Sequence, residues 1–214
     1  MTRTAILDSA ELIFARDGLP GTRTEDIAAG SGVTKAMIHY YFDTKEALYQ
    51  AVLDRVFLER EEGMDFKRLQ KLPPTEALQE FIKRLLYQMC RKPHLGPLFV
   101  LENIHNDGAY YRRSGGKLYL ILIDIVERGV ADQSFREMNP LHGAINIMGA
   151  CVHYFTISIN IRNLSSGTHS DDQFFLAHTI WATDFIMHAT KPDKNLASKR
   201  RGTKENLKAL ERLP

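Results

Sequence analysis

The spacing of apolar residues constrains the possible folds of this chain more than any other feature of the sequence. In residues 2–17, apolar side chains recur at i, i+4, i+7 and i+8, at Ile6, Ala10, Ile13 and Phe14, which is one stripe of an α-helix. Comparable stripes recur along the chain, while no alternating pattern bounded by hairpin turns and no internal repeat is visible. The sequence therefore predicts an all-α fold of about nine helices.

Turn and capping residues divide the chain into separate helices. Gly18 is expected to stop the first of them, Thr24 is a good N-cap, and Asp43 with Glu46 can form a capping box. Prolines and glycine-rich turns mark the other boundaries. The predicted helices cover residues 2–17, 24 to a turn at 30–32, 34–41, 43 to the low sixties, 75–91, 95–106, 110–130, 139–162 and 171–190, with a marginal helix at 204–212.

The composition is that of an ordinary globular protein, with 44% hydrophobic and 25% charged residues in a chain of 214. No apolar stretch approaches the roughly 18 residues that span a bilayer, and no hydrophobic signal segment follows Met1. We therefore expect a cytoplasmic protein with no membrane partner. Cys90 and Cys151 are then expected to be buried thiols rather than a disulfide or a metal site.

Charge is unevenly distributed along the chain. The formal net charge is +2, but residues 191–214 hold eight Lys and Arg against three Asp and Glu, a net +5. Residues 1–190 therefore carry −3, so nucleic-acid binding cannot be inferred from net charge and depends on where individual groups lie. The basic tail raises the hypothesis of extra nonspecific affinity for DNA.

The sequence contains no motif typical of catalysis, of metal binding or of a nucleotide cofactor. Its histidines show no His-Glu-x-x-His spacing and form no cluster with the cysteines. Residues 114–117, Ser-Gly-Gly-Lys, lack the spacing of a phosphate-binding loop, and Gly-x-Ser-x-Gly is absent. We therefore expect a protein that is not an enzyme, with no catalytic residue, no metal site and no cofactor.

The most informative stretch is residues 24–42, which has the pattern of a helix-turn-helix. Ala28 is small enough for two helices to cross closely, and Gly32 can adopt the left-handed conformation that a short turn requires. The apolar contacts that would hold the pair against the first helix come from Ile27, Val33, Ile38 and Phe42.

The second helix of this pair has two distinct faces. On a helical wheel, Lys35, Ala36, His39 and Tyr40 fall within about 140° of one another, opposite Ile38. One face is therefore apolar and inward, and the other is cationic and aromatic and can enter a major groove by its N-terminal end. Backbone N–H groups at helix N-termini bind phosphates, and such termini are predicted at Thr24, Thr34 and Asp43.

Residues 3–57 resemble the N-terminal domain of the TetR family of bacterial transcriptional regulators. The block Gly32–Leu48 matches the signature of that family almost position for position, including the turn, the aromatic cluster and Lys45-Glu46-Ala47-Leu48. The resemblance implies a dimer that binds double-stranded, palindromic operator DNA and dissociates when a small-molecule effector enters the C-terminal core.

The resemblance also implies which residues touch DNA. Lys35, Ala36 and His39 take the positions that contact base edges. Phosphate contacts are implied for Thr24, Thr34, Met37, Tyr40, Tyr41 and Lys45. Glu25 departs from the pattern, because some members carry a basic, base-reading residue there; here it is expected to serve the helix dipole. Simpler alternatives remain: His39 as an exposed polar residue, Tyr41 and Met37 as packing residues, and Lys45 as a solvated residue at a helix start.

The last two long helices, at 139–162 and 171–190, are apolar on more than one face. A helix of that kind needs partners on two sides, one its own core and the other a second subunit. We therefore expect a homodimer through these two helices. The predicted domains are a DNA-binding head at 1–48, a ligand-binding and dimerisation body at 49–190 and a basic tail at 191–214.

Residues 95–190 contain Leu98-Phe99, Glu102, His153-Tyr154 and Phe174-Phe175. In these positions they resemble the pyrimidine-utilisation regulators of the same family, which use a Trp and a Gln to hold uracil. Met148 and Val152 stand at the matching positions, so a larger or more apolar effector is expected here. Candidate lining residues are Tyr87, Leu101, Glu102, His105, Met148, Val152 and Tyr154. For each of them, ordinary core packing is the competing interpretation.

Two other functions compete with that of a ligand-responsive repressor. One is a helical ligand-binding or catalytic protein with a vestigial DNA-binding head. The other keeps the head but makes the body a protein-interaction module that has no small effector. Operator binding would separate the first from a regulator, and thermal-shift screening would separate the second.

Overall fold

The computed structural model describes residues 2–107, 109, 116–157 and 171–192, and the prediction of an all-α fold is confirmed. The described part of the chain forms ten helices and no strand. They are α1 (Thr2–Gly21), α2 (Thr24–Ser31), α3 (Lys35–Phe42), α4 (Lys45–Glu62), α5 (Phe66–Lys71), α6 (Pro74–Arg91), α7 (Leu95–Asn106), α8 (Gly116–Ala131), α9 (Pro140–Thr156) and α10 (Asp171–Thr190). Residues 110–115, the end of the predicted helix 139–162 and the tail from 193 lie outside the described residues.

The first helix is interrupted where the sequence predicts. Gly18 has φ 67° and ψ 174°, a conformation that no helix contains, and a short helical turn follows it. The Gly18 carbonyl accepts two bonds from Thr22, from its hydroxyl at 2.7 Å and from its backbone amide at 3.2 Å. The stop at Gly18 therefore directs the chain into α2.

Two predicted caps are wrong. Thr24 is the first residue of α2, and Arg23 is its N-cap residue, because the Arg23 carbonyl accepts bonds from the amides of the first turn. The Arg23 side chain makes no capping bond. Asp43 does not cap α4, because it takes φ 61° in the turn after α3. Thr44 caps α4 instead, accepting a 3.0 Å bond from the Ala47 amide. Thr34 caps α3 through the Met37 amide.

The short helix α5 was not predicted, because six residues are too few to establish a helical period. Asp65 caps it, and Leu69 is buried. Arg128 of α8 donates to the Leu69 and Leu72 carbonyls at 3.1 and 2.9 Å, so the C-terminal end of α5 is fixed by another helix. This helix depends on tertiary contacts more than on its own sequence.

One continuous apolar core joins the helices. In the N-terminal region α1 packs against α2, α4 and α7, and in the C-terminal region α6 packs against α8, α9 and α10. Gly96 lets α7 approach α9 closely, because a side chain there would lie 2.9 Å from the Phe155 backbone. Both cysteines are thiols; Cys151 is buried and Cys90 is half-buried. None of the helices within the described ranges is long and apolar enough to cross a bilayer.

Candidate nucleic-acid interface

The turn between α2 and α3 has the geometry that the sequence predicts. Gly32 ends α2 with φ 69°, and no atom lies within 4 Å of the position that a side chain would occupy there. The requirement for glycine is therefore one of backbone conformation, not of space. The Val33 amide then donates to the Ala28 carbonyl at 3.1 Å, which closes the turn.

The helix pair is held against α1 by apolar contacts and one close approach. Ile27 and Ile38 are fully buried, and Phe42 is nearly so. The Ser9 hydroxyl of α1 donates to the Ile27 carbonyl at 3.1 Å, and a side chain at Gly30 would collide with Ser9. These contacts fix which face of α3 points away from the protein.

The opposite face of α3 is fully exposed. Lys35, Ala36 and His39 are exposed, and Tyr40 shows 83% of its surface to solvent. Of the other predicted contact residues, Thr34, Met37 and Tyr41 are exposed, while Thr24 and Lys45 are half-buried. Lys35, Ala36, His39 and Tyr40 thus share one exposed surface of α3, which is called the reading face below.

An ion pair crosses from α2 to α3 at the edge of the reading face. Lys35 Nζ lies 2.6 Å from Glu25 Oε1, and both side chains are more than half exposed. The hydrogen bond from Lys35 holds the pKa of Glu25 below its ordinary value. Glu25 therefore lies in the first turn of α2 and also pairs with a candidate base-reading lysine.

Two other candidates have partners within the head. His39 Nδ1 donates to the Asp43 carbonyl at 2.9 Å, which leaves Nε2 of the neutral ring as an acceptor pointing away from that bond. Lys45 donates to the Thr22 carbonyl at 3.0 Å. That carbonyl explains why a cation is stable at the N-terminus of α4, so a phosphate is not needed to account for it.

The candidate effector-binding residues lie in different parts of the body. Met148 and Val152 line a groove of about 860 Å³ between α7, α8 and α9. Tyr87 lines a second groove of about 550 Å³ between α6 and α10. Tyr154 stacks on His178 with ring centroids 4.3 Å apart, where α9 meets α10. The sequence did not indicate that these positions would be divided between surfaces.

The remaining candidates lie where α7 meets the head. Glu102 is 1% exposed and accepts bonds from the Tyr49 hydroxyl at 2.9 Å and from Asn106 at 2.5 Å. His105 covers Gly18 of α1. Leu101, on the same helix, is half-buried. Glu102 and His105 therefore connect α7 to α4 and α1, and they do not line either groove.

Sequence reasoning missed Arg60, which lines the groove between α7, α8 and α9. A signal for it was present. Arg60 follows Val56 by four residues and Phe57 by three, so it continues the buried stripe of α4. A charged residue in an apolar stripe indicates either a buried partner or a site.

Comparison with known families gives two matches that together cover both parts of the chain. Residues 6–52 match the model of the bacterial regulatory proteins of the tetR family. Residues 74–184 match the tetracyclin repressor-like C-terminal domain. The first match contains the reading face, and the second contains the described lining of both grooves except Arg60.

Individual relatives agree with the family models. The chain is 30% identical to the transcriptional repressor NicS of Pseudomonas putida, over 77% of this chain and 79% of NicS. It is 27% identical to the regulator RutR of Escherichia coli K12, over 81% and 82%. The crystal structure of AibR with isovaleryl coenzyme A and operator DNA superposes with a TM-score of 0.65 at 20% identity, over 84% and 96%. The chain therefore belongs to the TetR family of bacterial regulatory proteins and is a helix-turn-helix transcriptional regulator.

Proposed function

We propose that this protein is a repressor that binds a palindromic operator as a homodimer and is released by a small molecule. The observation that carries the proposal is the reading face. It belongs to a short helix, α3, which is buried on one side through Ile38 and exposes Lys35, His39 and Tyr40 on the other. A helix held in this way can lie in a major groove. The repressor sense is supported by the likeness to NicS.

On the reading face the DNA contacts divide into two groups. Lys35, Ala36 and His39 contact base edges, because they lie on the exposed side of α3, with Lys35 and Ala36 in its first turn. The rim contacts phosphates and sets the register of the helix in the groove. It consists of Thr24, Thr34, Met37, Tyr40, Tyr41 and Lys45.

The second subunit binds to α9 and α10. An apolar stripe on α10 is 58 to 71% exposed in one chain, far more than a buried helix of a complete core would be. The stripe consists of Leu176, Ile180, Trp181 and Phe185. A symmetric pairing of this surface gives a four-helix contact and two reading faces, which must lie about 34–36 Å apart to enter successive major grooves.

The effector binds in the body and acts on the head through α4. Residues 1–48 form the head and 49–190 the body, and α4 begins in the first and continues through the second. AibR, which shares this fold, was crystallised with both a ligand and operator DNA, which supports a fold that holds both. A regulator of this kind works on the chromosome, so its proposed location is the cytoplasm.

The test is selection of binding sites from random double-stranded DNA, followed by anisotropy titration of the selected sequence. We expect a palindrome to be enriched. Lys35→Ala should weaken binding by about tenfold and relax the sequence preference, because a base contact is lost. Lys67→Ala is the matched control, since Lys67 is an exposed lysine on α5, away from α3. Enrichment of no sequence, or equal losses in the two variants, would contradict the proposal.

A further inference from the structure

The groove between α7, α8 and α9 combines apolar walls with a buried charge. Its described lining includes Phe99 of α7, Tyr119 of α8, and Met148 and Val152 of α9. With about 860 Å³ it is large enough for a molecule of drug size. Arg60 is also part of the lining. A groove of this composition can bind an apolar body and a charged group at once.

Arg60 lies against the wall of this groove. Its guanidinium carbon is 4.8 Å from the ring centroid of Phe99, and the side chain is only 4% exposed. Burial raises the pKa of the Tyr119 hydroxyl, and the positive charge of Arg60 opposes that rise, so the two groups are close. Both neighbouring rings line the groove, which places the guanidinium on its side.

The lining also contains an acidic residue, Asp107, so the formal charges of these two groups cancel. Their effects on a ligand do not cancel. Asp107 is exposed, and water screens its charge, whereas Arg60 is buried and is screened much less. An arginine also remains charged at every accessible pH. Arg60 therefore places a positive charge on the wall of the groove, and water screens that charge little.

We propose that this groove binds an organic monoanion, with its carboxylate against Arg60 and its apolar body against Met148 and Val152. A carboxylate gains a charge-assisted bond from the guanidinium fork, which a neutral amide of the same shape cannot match. The inference rests on the proposed function only in calling this ligand the effector; the binding itself stands alone.

The position of Arg60 gives such a ligand a direct route to the head. Arg60 is in the last turn of α4, while Lys45 begins that helix beside the reading face. Tyr49, in the second turn, is bonded to Glu102 of α7, another helix that lines the groove. A carboxylate that draws Arg60 into the groove therefore acts on the helix that carries the head.

The test compares acids with their neutral amides on the full-length dimer. The probes are benzoate and benzamide, 2-naphthoate and 2-naphthamide, and octanoate and octanamide, each measured by calorimetry and by thermal shift. We expect the acid of the best-fitting pair to bind at least about tenfold more tightly than its amide, the value of one charge-assisted bond. If no acid in the set is preferred over its amide, the inference is overturned.

Two substitutions of Arg60 separate charge from packing. Arg60→Met keeps the stem and removes the charge, so the acid should bind no better than the amide. Arg60→Lys keeps the charge without the fork, so a smaller preference for the acid should remain. If Arg60→Met fails to fold, Arg60→Lys and the wild type still decide the matter. An acid preference that survives Arg60→Met would overturn the inference.

A third substitution locates the ligand without changing Arg60. Val152→Trp fills the groove from α9, and we expect it to weaken both members of a pair. Binding that is unaffected by Val152→Trp would place the ligand elsewhere and overturn the inference. Operator binding of the ligand-free protein is measured separately. If the protein binds its operator normally but shows no preference for the acid, only this inference is wrong. If it prefers the acid but no operator sequence is found for it, only the proposed function is wrong.

Discussion

The head and the body of this protein differ in how completely one chain buries its apolar side chains. In the head, Ile27, Ile38 and Phe42 are buried, and the exposed face of α3 carries polar or amphipathic groups. In the body, Trp181 and Phe185 of α10 are exposed at 71 and 66%. One chain therefore buries these side chains of the head but leaves an apolar stripe of α10 exposed.

The functions proposed for the two regions account for this difference. A surface that binds DNA must stay soluble when DNA is absent, so it can be polar and needs no partner to be stable. A surface that pairs with a second copy is stabilised by removing apolar area from water. On this view the pairing positions the reading faces, and the head itself contributes nothing to dimerisation.

The largest expected effect comes from placing a charge on the pairing surface. Phe185→Glu should give a monomer and lower operator affinity on the order of 1000-fold, because the second half-site no longer binds with the first. Sedimentation and anisotropy measure the two quantities. Leu120→Glu on α8 is the control, since Leu120 is also 66% exposed and lies outside α9 and α10.

If both variants stayed dimeric, the dimer would not form through the exposed stripe of α10, and the proposed pairing surface would be wrong. The comparison would fail if Phe185→Glu gave a monomer that bound the operator as tightly as the wild type does. In that case the head alone would account for the affinity, and the body would not position it.

A buried carboxylate, that of Glu11, forms bonds to residues of the body from α1 of the head. Glu11 of α1 accepts bonds from Arg55 of α4 at 2.6 Å and from His94 at 2.7 Å, and Lys92 lies 3.3 Å away. Burial alone would raise the pKa of Glu11, but these bonds outweigh it and bring the pKa to about 2. The cluster therefore ties the head to the connection between α6 and α7.

Glu11→Gln should lower the free energy of unfolding at neutral pH by about 3 kcal/mol, which is the value of the pKa shift. The folded pKa is depressed, so this contribution is complete above about pH 4.5 and is lost as the pH falls towards 2. Urea unfolding at a series of pH values measures it. The wild type and the variant should converge in acid, and Glu127→Gln, at an exposed site, should match the wild type throughout. A gap that did not depend on pH would rule out the ion pairs as its source.

The head could be predicted from the sequence because its requirements are local. The left-handed Gly32 and the buried Ile38 follow from spacing within twenty residues, and the structure has both. The junction could not be predicted in this way. Glu11 meets His94 across more than eighty residues, and nothing in either neighbourhood identifies the partner. The groove at Arg60 could be predicted only in part. The buried stripe of α4 indicates that Arg60 is buried, but it does not indicate which residues of the other helices surround it.

The smallest expected effect concerns the ion pair at the edge of the reading face. Glu25 and Lys35 are both exposed, so Glu25→Gln should lower the thermal stability only slightly, through the loss of a charge that favours the α2 dipole. Operator affinity should rise a few-fold at low salt, because Lys35 is released and one negative charge near the phosphates is removed. Anisotropy titrations over a range of salt concentrations measure this gain.

The control for Glu25→Gln must remove an equal charge from the same head. Glu46→Gln does so, since Glu46 is exposed in the first turn of α4 and no ion pair joins it to Lys35. If only the loss of charge matters, the two variants gain equally, and the ion pair has no role in positioning Lys35. If the ion pair restrains Lys35, Glu25→Gln gains more and also changes the preferred base at the position that Lys35 contacts, because a freed lysine can reach acceptors that the paired one cannot. A change in affinity without a change in base preference would leave Glu25 an electrostatic neighbour of the reading face and remove it from the determinants of specificity.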